Sequence, residues 1–352
     1  MRSPRRNRAV PRTVMEARQV DALPSGAGWQ YEPKWDGFRC LAIRDGTSVE
    51  LLGKSGKSLA RYFPEVVASL GRHSARDFAI DGELAVPLGE RLSFDALQMR
   101  LHPAQSRIDR LSRETPAILI VFDMLQTMKG QDIVSAPLSE RRRALEGFFG
   151  IADATGILRL SPASTRRADA EHWLTRAGGG ALDGVVAKRL DEPYRPGERA
   201  MLKVKRLRTA DCVVGGFRYA TGHARGQHRL VGSLLLGLFD VAGKLDHVGF
   251  TSGIADRERP TLTRKLERLR GHGFTGKSPG GPSRWSTERS SEWEGVKPCL
   301  VAEVQYDHVT GDRFRHGTRF VRWRPDKVPR QCTLDQLQVE ARPSRLMKAI
   351  AG

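Results

Sequence analysis

Near Arg208 the pattern of apolar residues changes, and that change divides the chain. Before it, short strand-like and helix-like stretches follow one another. Phe38 to Ile43 and Val49 to Leu52 read as neighbouring strands with an Asp45-Gly46 turn between them. Phe78 to Val86 is strand-like, and Ala117 to Leu125 is apolar for long enough to be a buried central strand. Leu59 to Leu70, Leu138 to Phe149 and Ala168 to Ala177 carry helical spacing, the last closed by Gly178-Gly179-Gly180. Gly184 to Lys188 and Leu202 to Lys205 are short strands around a polar loop, Asp191 to Arg199. With no regular βαβ alternation, the class is α+β. After Arg208, Cys212 to Tyr219, Ser233 to Asp240, Lys244 to Thr251, Leu300 to His308 and Arg319 to Arg324 read as five short strands. One charged helix, Thr261 to Arg270, interrupts them, and Gly276 to Ser286 reads as a mobile loop. Five strands and a helix predict a small β-barrel of the OB-fold type. The expected organisation is a basic flexible arm over 1–27, a first domain over 28–208, a second over 209–337 and a tail over 338–352.

The chain of 352 residues holds 59 Lys and Arg against 40 Asp and Glu, a formal net charge of +19. Such an excess draws polyanions, which makes nucleic acid the favoured partner. Most of this charge is arginine, so each lysine is the more informative: lysine can lose its proton and attack. The four cysteines, Cys40, Cys212, Cys299 and Cys332, form no Cys-x-x-Cys pair and have no His cluster beside them. This excludes a zinc framework and points to a reducing, cytoplasmic setting. Cys40, Cys212 and Cys299 lie in strand-like runs and are expected to pack. No apolar stretch reaches the length of a membrane span, and no signal region follows the basic residues Met1 to Arg8.

Lys34 stands in Glu32-Pro33-Lys34-Trp35-Asp36-Gly37-Phe38-Arg39, immediately before a predicted strand. A Lys-x-Asp-Gly sequence alone is a weak signal. It gains weight because carboxylates and lysines recur at later strand ends: Asp81-Gly82-Glu83, Phe122-Asp123, Asp183-Gly184-Val185-Val186-Ala187-Lys188 and Lys203-Val204-Lys205. Strand ends are where a rigid sheet presents groups to one pocket.

In order and spacing these segments resemble the covalent nucleotidyltransferase superfamily of ATP-dependent DNA ligases, RNA ligases and mRNA capping enzymes. The nearest pattern is the small bacterial ATP-dependent DNA ligase, similar to the ligase module of bacterial end-joining enzymes, over about Tyr31 to Leu337. Further segments that carry it are Ser93 to Gln98, Pro193 to Gly197, Gly232 to Gly237 and Arg315 to Lys327. The resemblance implies an ATP-grasp-like nucleotidyltransferase (adenylation) domain followed by the OB-fold barrel. It implies that Lys34 attacks ATP and becomes AMP-lysine. Glu32 would read adenine, Arg39 would touch the sugar or a phosphate, Lys54 would bind a phosphate, and Phe122 would be the platform for the base. Glu83 would contact ribose or a divalent metal, Mg²⁺ or Mn²⁺, with Asp183 supporting that metal. Lys203 and Lys205 would hold the α-phosphate, and Arg322, Arg324, Asp326 and Lys327 would orient the pyrophosphate. Physical chemistry agrees with these roles. Cationic neighbours disfavour a second positive charge on a nucleophilic lysine, and with a metal they neutralise charge on phosphoryl oxygens. Because the pyrophosphate segment lies on the second domain, closure and reopening are expected.

Three positions depart from the family pattern: Asp183 replaces a usual Glu, Lys54-Ser55-Gly56 stands for Arg-Asn-Gly, and Met201 replaces a frequent Trp. None removes the nucleophile, so an active enzyme is expected. Its substrate would be nicked duplex DNA, gripped in part by the basic arm and the Arg218 to Arg229 loop. A monomer is expected, with a Ku-like or polymerase repair protein as the candidate partner. The alternatives are an RNA ligase or capping-type enzyme of the same chemistry, and a non-catalytic DNA-binding relative.

Overall fold

The computed structural model describes residues 10–89, 91–150, 156–177, 182–220, 229–280 and 292–337. The expected flexibility of residues 1–9, the tail 338–352, the core of the Arg218 to Arg229 loop and most of the Gly276 to Ser286 loop lie outside the described residues. The chain splits into two compact units, one running to Arg206 and the other starting at Leu207.

In chain order the first unit's strands are β1 (Ala17–Gln19), β2 (Trp29–Trp35), β3 (Phe38–Asp45), β4 (Ser48–Gly53), β5 (Asp77–Ala85), the short pair β6 (Pro87–Leu88) and β7 (Arg91–Leu92), β8 (Ile118–Gln126), β9 (Leu158–Leu160), β10 (Leu182–Arg189) and β11 (Met201–Lys205). They form a five-stranded sheet in the order β4-β3-β5-β8-β9 and a four-stranded sheet in the order β1-β11-β10-β2. β8 is buried at every position, as its unbroken apolar run requires, and each such Leu or Ile contributes roughly 1.5–3 kcal/mol of burial. One apolar cluster joins the sheets: Leu41, Leu52, Ala79 and Leu125 from the first pack with Met201 and with Val14 and Met15.

Helix α1 (Pro64–Arg72) starts with proline in its first turn, where a missing N–H costs nothing. It is shorter than the predicted Leu59 to Leu70 span, because Ala60–Tyr62 forms a separate 3₁₀ turn before Pro64. Helices α2 (Phe94–Met99), α3 (Gln105–Glu114), α4 (Leu138–Phe149) and α5 (Arg167–Arg176) complete the unit. α4 buries Leu138, Arg141, Leu145 and Phe148, one stripe at helical spacing. Arg141 on that stripe forks onto Asp123 of β8 at 2.8 and 3.2 Å and donates to the carbonyls of Ala136 and Glu192.

Two features correct the sequence expectation. The arm predicted over 1–27 is not a free arm in its described part. Val14, Met15 and Leu23 are buried, and Ala17–Gln19 runs parallel to Met201–Lys203 as an edge strand. Lys34 does not merely precede a strand but lies within β2. Pro33 is tolerated there because β2 is the edge of its sheet, where one missing donor breaks no ladder. Gly37 then carries the chain from β2 to β3; a Cβ at that position would overlap the Leu84 carbonyl oxygen.

The second unit contains β12 (Arg208–Tyr219), β13 (Val231–Phe239), β14 (Leu245–Thr251), α6 (Arg259–Arg268), β15 (Glu294–Gly295), β16 (Val301–Tyr306), β17 (Val309–Thr310), β18 (Arg313–Phe314) and β19 (Arg319–Trp323). The five predicted strands pair in the order β14-β13-β12-β16-β19, with β15 beside β12. Among the described residues the path is open: no ladder pairs β14 with β19, and its ends meet at the isolated bridge Thr251–Thr318. Leu262 and Leu266 of α6 pack into the core of this unit. All four cysteines are free; Cys40, Cys212 and Cys332 are buried, but Cys299, expected to pack, is exposed. No helix among the described residues is long and apolar enough to cross a membrane.

Burial tests the Arg141–Asp123 pair. Burial works against the Asp123 carboxylate, yet Arg141 and Lys188 hold its pKa below the ordinary value. Arg141→Ala strands that charge and is expected to cost about 3–5 kcal/mol, read as a lowered urea midpoint. An unchanged midpoint would contradict this account of the pair.

Candidate active site

A cavity opens between the two sheets of the first unit. Glu32, Lys34, Arg39, Lys54, Glu83, Phe122 and Lys203 line it together with Val14, Met15 and Glu16. Seven of the residues singled out from the sequence are thus brought together.

The register of β10 on β2 sets Gly184 opposite Lys34, with an irregularity at Asp183. A Cβ on Gly184 would overlap the Val204 carbonyl oxygen, so only glycine lets β10 lie this close to β11. Asp183 is thereby aimed at the lysines. Its Oδ2 lies 2.5 Å from Lys34 Nζ and 3.2 Å from Lys205 Nζ. Lys203 stands two residues before Lys205 on β11. Burial lowers the Lys203 pKa, and the charges of Lys34 and Lys205 lower it further. Cations therefore crowd this end of the cavity, an environment that favours an anion such as a phosphate. Lys54, on the turn after β4, pairs with Glu16 at 2.9 Å. Its hydrogen bond holds the Glu16 carboxyl below the usual range.

At the other end Glu32 is buried and doubly held. Gln30 Nε2 donates to Oε1 at 2.7 Å, and Lys188 Nζ meets Oε2 at 2.9 Å. Lys188 also donates to the Phe122 carbonyl oxygen and sits 4.8 Å from the centre of the Phe122 ring. The Arg39 guanidinium lies over the same ring at 4.5 Å. Arg39 forks onto Asp81 through two hydrogen bonds of 2.7 Å. Burial opposes the Arg39 charge, but Asp81 outweighs it and the net effect favours the cation. Sequence reasoning did not single out Lys188, Gln30, Asp81 or Tyr194. Lys188 and Asp81 had a signal, since both lie inside motifs already quoted and lysine is scarce. Gln30 had none, because only the β2 pairing reveals that it shares a face with Glu32.

Glu83 lies across from Arg39 in the β3–β5 register. Burial pushes its carboxyl up to about 7, against the pull of Arg39 and Lys34. Among the described residues no group of three or more His, Cys, Asp or Glu could hold a metal unaided. The carboxylates Glu83 and Asp183 nevertheless suit a hard cation such as Mg²⁺, which takes one or two carboxylates and fills its shell with phosphate oxygens and water.

In the second unit the four residues predicted to act on pyrophosphate share carboxylate partners. Arg322 pairs with Glu303 at 2.7 Å, and Arg324 pairs with Asp211 at 2.9 Å and Asp326 at 2.8 Å. Lys327 reaches Asp211 at 3.6 Å. The hydrogen bond from Arg324 lowers the Asp326 carboxyl to about 2. Asp211 and Glu303 were not foreseen; they lie on strands far in sequence from the tail they hold.

The family model of the ATP dependent DNA ligase domain matches residues 14–205, and that of the ATP dependent DNA ligase C terminal region matches residues 227–327. The chain belongs to the ATP-dependent DNA ligase family. It is 42% identical over 342 residues to DNA ligase C2 of Mycolicibacterium smegmatis, covering 93% of this chain and 94% of that protein. It is 30% identical over 308 residues to the multifunctional non-homologous end joining DNA repair protein LigD of Mycobacterium tuberculosis, covering 86% of this chain and 37% of that protein. Among solved structures, a Lig E DNA ligase shares the fold with a TM-score of 0.55 at 18% identity, over 89% of this chain and 99% of that one.

This ligase should show the protonation of Glu83 in its stability. The fold holds the carboxyl near 7 against an ordinary 4.5, so it favours the protonated form. That contribution is complete below the ordinary value and is lost as pH rises through about 7. Melting temperatures of wild type and Glu83→Gln, measured across this range without metal, are expected to diverge, with wild type losing ground as pH rises. Parallel profiles would contradict the buried carboxyl.

Proposed function

We propose that this DNA ligase works through Lys34, and that the first unit is the adenylation domain and the second an OB-fold. The observation that carries the reading is Lys34 and Lys203 lining one end of a cavity between two sheets, with Asp183 bridging Lys34 to Lys205 behind it. A triphosphate fits this end by charge. The base fits the other end, where Phe122 offers an aromatic surface and Glu32 a fixed carboxylate.

Lys34 Nζ attacks the α-phosphorus of ATP. A P–N bond forms, the bond to pyrophosphate breaks, and AMP stays on the lysine. Asp183 Oδ2, at 2.5 Å, is the nearest acceptor for the proton that Nζ must shed. Lys203 and Lys205 hold the α-phosphate oxygens, Lys54 another phosphate, and Arg39 the sugar or phosphate. Glu83 and Asp183 would hold a Mg²⁺ or Mn²⁺ ion, which supplies charge neutralisation at the phosphates when bound. Arg322, Arg324, Asp326 and Lys327 orient the leaving pyrophosphate. AMP then passes to the 5′-phosphate at a nick in duplex DNA. Attack by the 3′-hydroxyl joins the strands and releases AMP.

A monomer acting in DNA repair fits this reading, and the likeness to LigD favours end joining with a Ku-like or polymerase partner. The surplus of arginine supports a grip on DNA phosphates that weakens with salt.

With α-labelled ATP and Mg²⁺ the protein is expected to take up label, and labelled GTP to give none; label from GTP alone would sink the ligase reading. On a nicked duplex, Lys34→Ala is expected to seal at less than about one-thousandth of the wild-type rate. Sealing at the wild-type rate would remove Lys34 from the mechanism.

A further inference from the structure

Tyr194 lies in the loop between β10 and β11, outside the residues assigned above to ATP, yet it is bonded into the wall of the cavity. Its ring is buried, with 3% exposure. Its hydroxyl donates to Asp81 Oδ2 at 2.6 Å and accepts from the Met15 backbone N–H at 2.8 Å. Asp81 has no exposure at all, and its two oxygens take the Arg39 fork. Arg39 closes the circuit by donating to the Met15 carbonyl oxygen at 3.1 Å. The loop is fixed to the same segment by three more bonds, from the Gly197 N–H to the Val14 carbonyl, from the Glu16 N–H to the Glu198 carbonyl and from the Arg195 N–H to the Met15 sulfur. One hydroxyl therefore ties the N-terminal segment, Asp81 and Arg39 into a single ring of contacts.

We infer that Tyr194 is a positioning residue for ATP binding: acting through Asp81 and the Met15 backbone, it fixes Arg39 over Phe122 in the nucleotide cavity. The geometry leaves little alternative for the hydroxyl. Burial first, and then the neighbouring Asp81 charge, keep it protonated well above neutral pH, so it is a permanent donor to Asp81. Arg39 has two routes of escape if that donor goes. The Asp81–Arg39 fork would lose the bond that anchors it to the Tyr194 loop, so the pair could shift together. The Met15 N–H would also lose its buried acceptor, which loosens the backbone that receives the second Arg39 bond. An arginine that wanders from the cavity wall weakens its contact with bound ATP equally in the ground and transition states. That predicts a KM effect with little change in kcat.

The inference rests on the proposed contact between Arg39 and ATP, and the experiment separates the two. Steady-state nick sealing at saturating nicked duplex, with ATP varied, is measured for wild type, Tyr194→Phe, Arg39→Lys and the double variant, each well below its own melting midpoint so that folded proteins are compared. Phe keeps the ring and removes only the oxygen. Tyr194→Phe is expected to raise the KM for ATP about tenfold, the scale of one lost buried hydrogen bond, with kcat changed by less than about twofold. In the Arg39→Lys background the same substitution should add little, because the fork it positions is already gone. If Arg39→Lys raises KM but Tyr194→Phe only lowers the melting midpoint, the positioning role is wrong and the tyrosine is structural. Independent, multiplicative effects of the two substitutions would overturn it as well. If Arg39→Lys itself leaves KM unchanged, the contact of Arg39 with ATP fails, and the inference fails with it.

Discussion

A cavity lined with charged side chains cannot be closed like an apolar core; every buried charge needs an opposite one at hand. The first unit satisfies this within each sheet, where α4 meets β8, and across the sheets through Lys188. Lys188 pairs with Glu32 and leans on Asp123, Arg141 forks onto Asp123, Arg39 forks onto Asp81, and Lys34 meets Asp183. Breaking such a pair on one side is far more damaging than never having built it. The pairs therefore do two things at once. They fix the charged side chains in direction, and they keep charge in half-buried surroundings, where it acts more strongly than in water.

The cationic end of the cavity is the exception that makes function. Asp183 serves Lys34 and Lys205 together, and Lys203 stands beside them with its charged form disfavoured by burial. This surplus of positive charge is costly on its own, and an anion such as a polyphosphate would relieve it. Gly184 and Gly37 make the arrangement possible by allowing backbone contacts that any side chain would block.

Much of this was legible in the sequence because its signals are local. The unbroken apolar run of β8, the Asp45-Gly46 turn, the helical spacing of α4 and the five strands of the second unit depend on neighbours in the chain. Lys34, Glu83, Phe122 and Lys203 are marked by a recurring pattern of carboxylates and lysines; the expectation that the pattern falls at strand ends is corrected, since Phe122 and Lys203 lie in the middle of β8 and β11. What escaped depends on pairing over long distances. β1 is a three-residue edge strand without apolar alternation, visible only through its partner Met201–Lys203. β2 holds Pro33 beside charged residues and does not read as a strand until β10 is laid against it. Lys188, Gln30, Asp81 and Asp211 act as partners of residues already identified; Lys188 and Asp81 lie inside the quoted motifs, but no local spacing marks Gln30 or Asp211. Cys299 departs from expectation because the strand begins two residues after it, at Val301.

The central claim is that one particular lysine carries the nucleotide, and the adduct itself can be seen directly. After incubation with ATP and Mg²⁺ in the absence of DNA, the protein is digested and its peptides are mapped by mass spectrometry. The account predicts a single AMP adduct, on Lys34, that disappears when ATP is removed and nicked duplex DNA is then added. An adduct on Lys203, Lys205 or any other residue, with Lys34 unmodified, would contradict it.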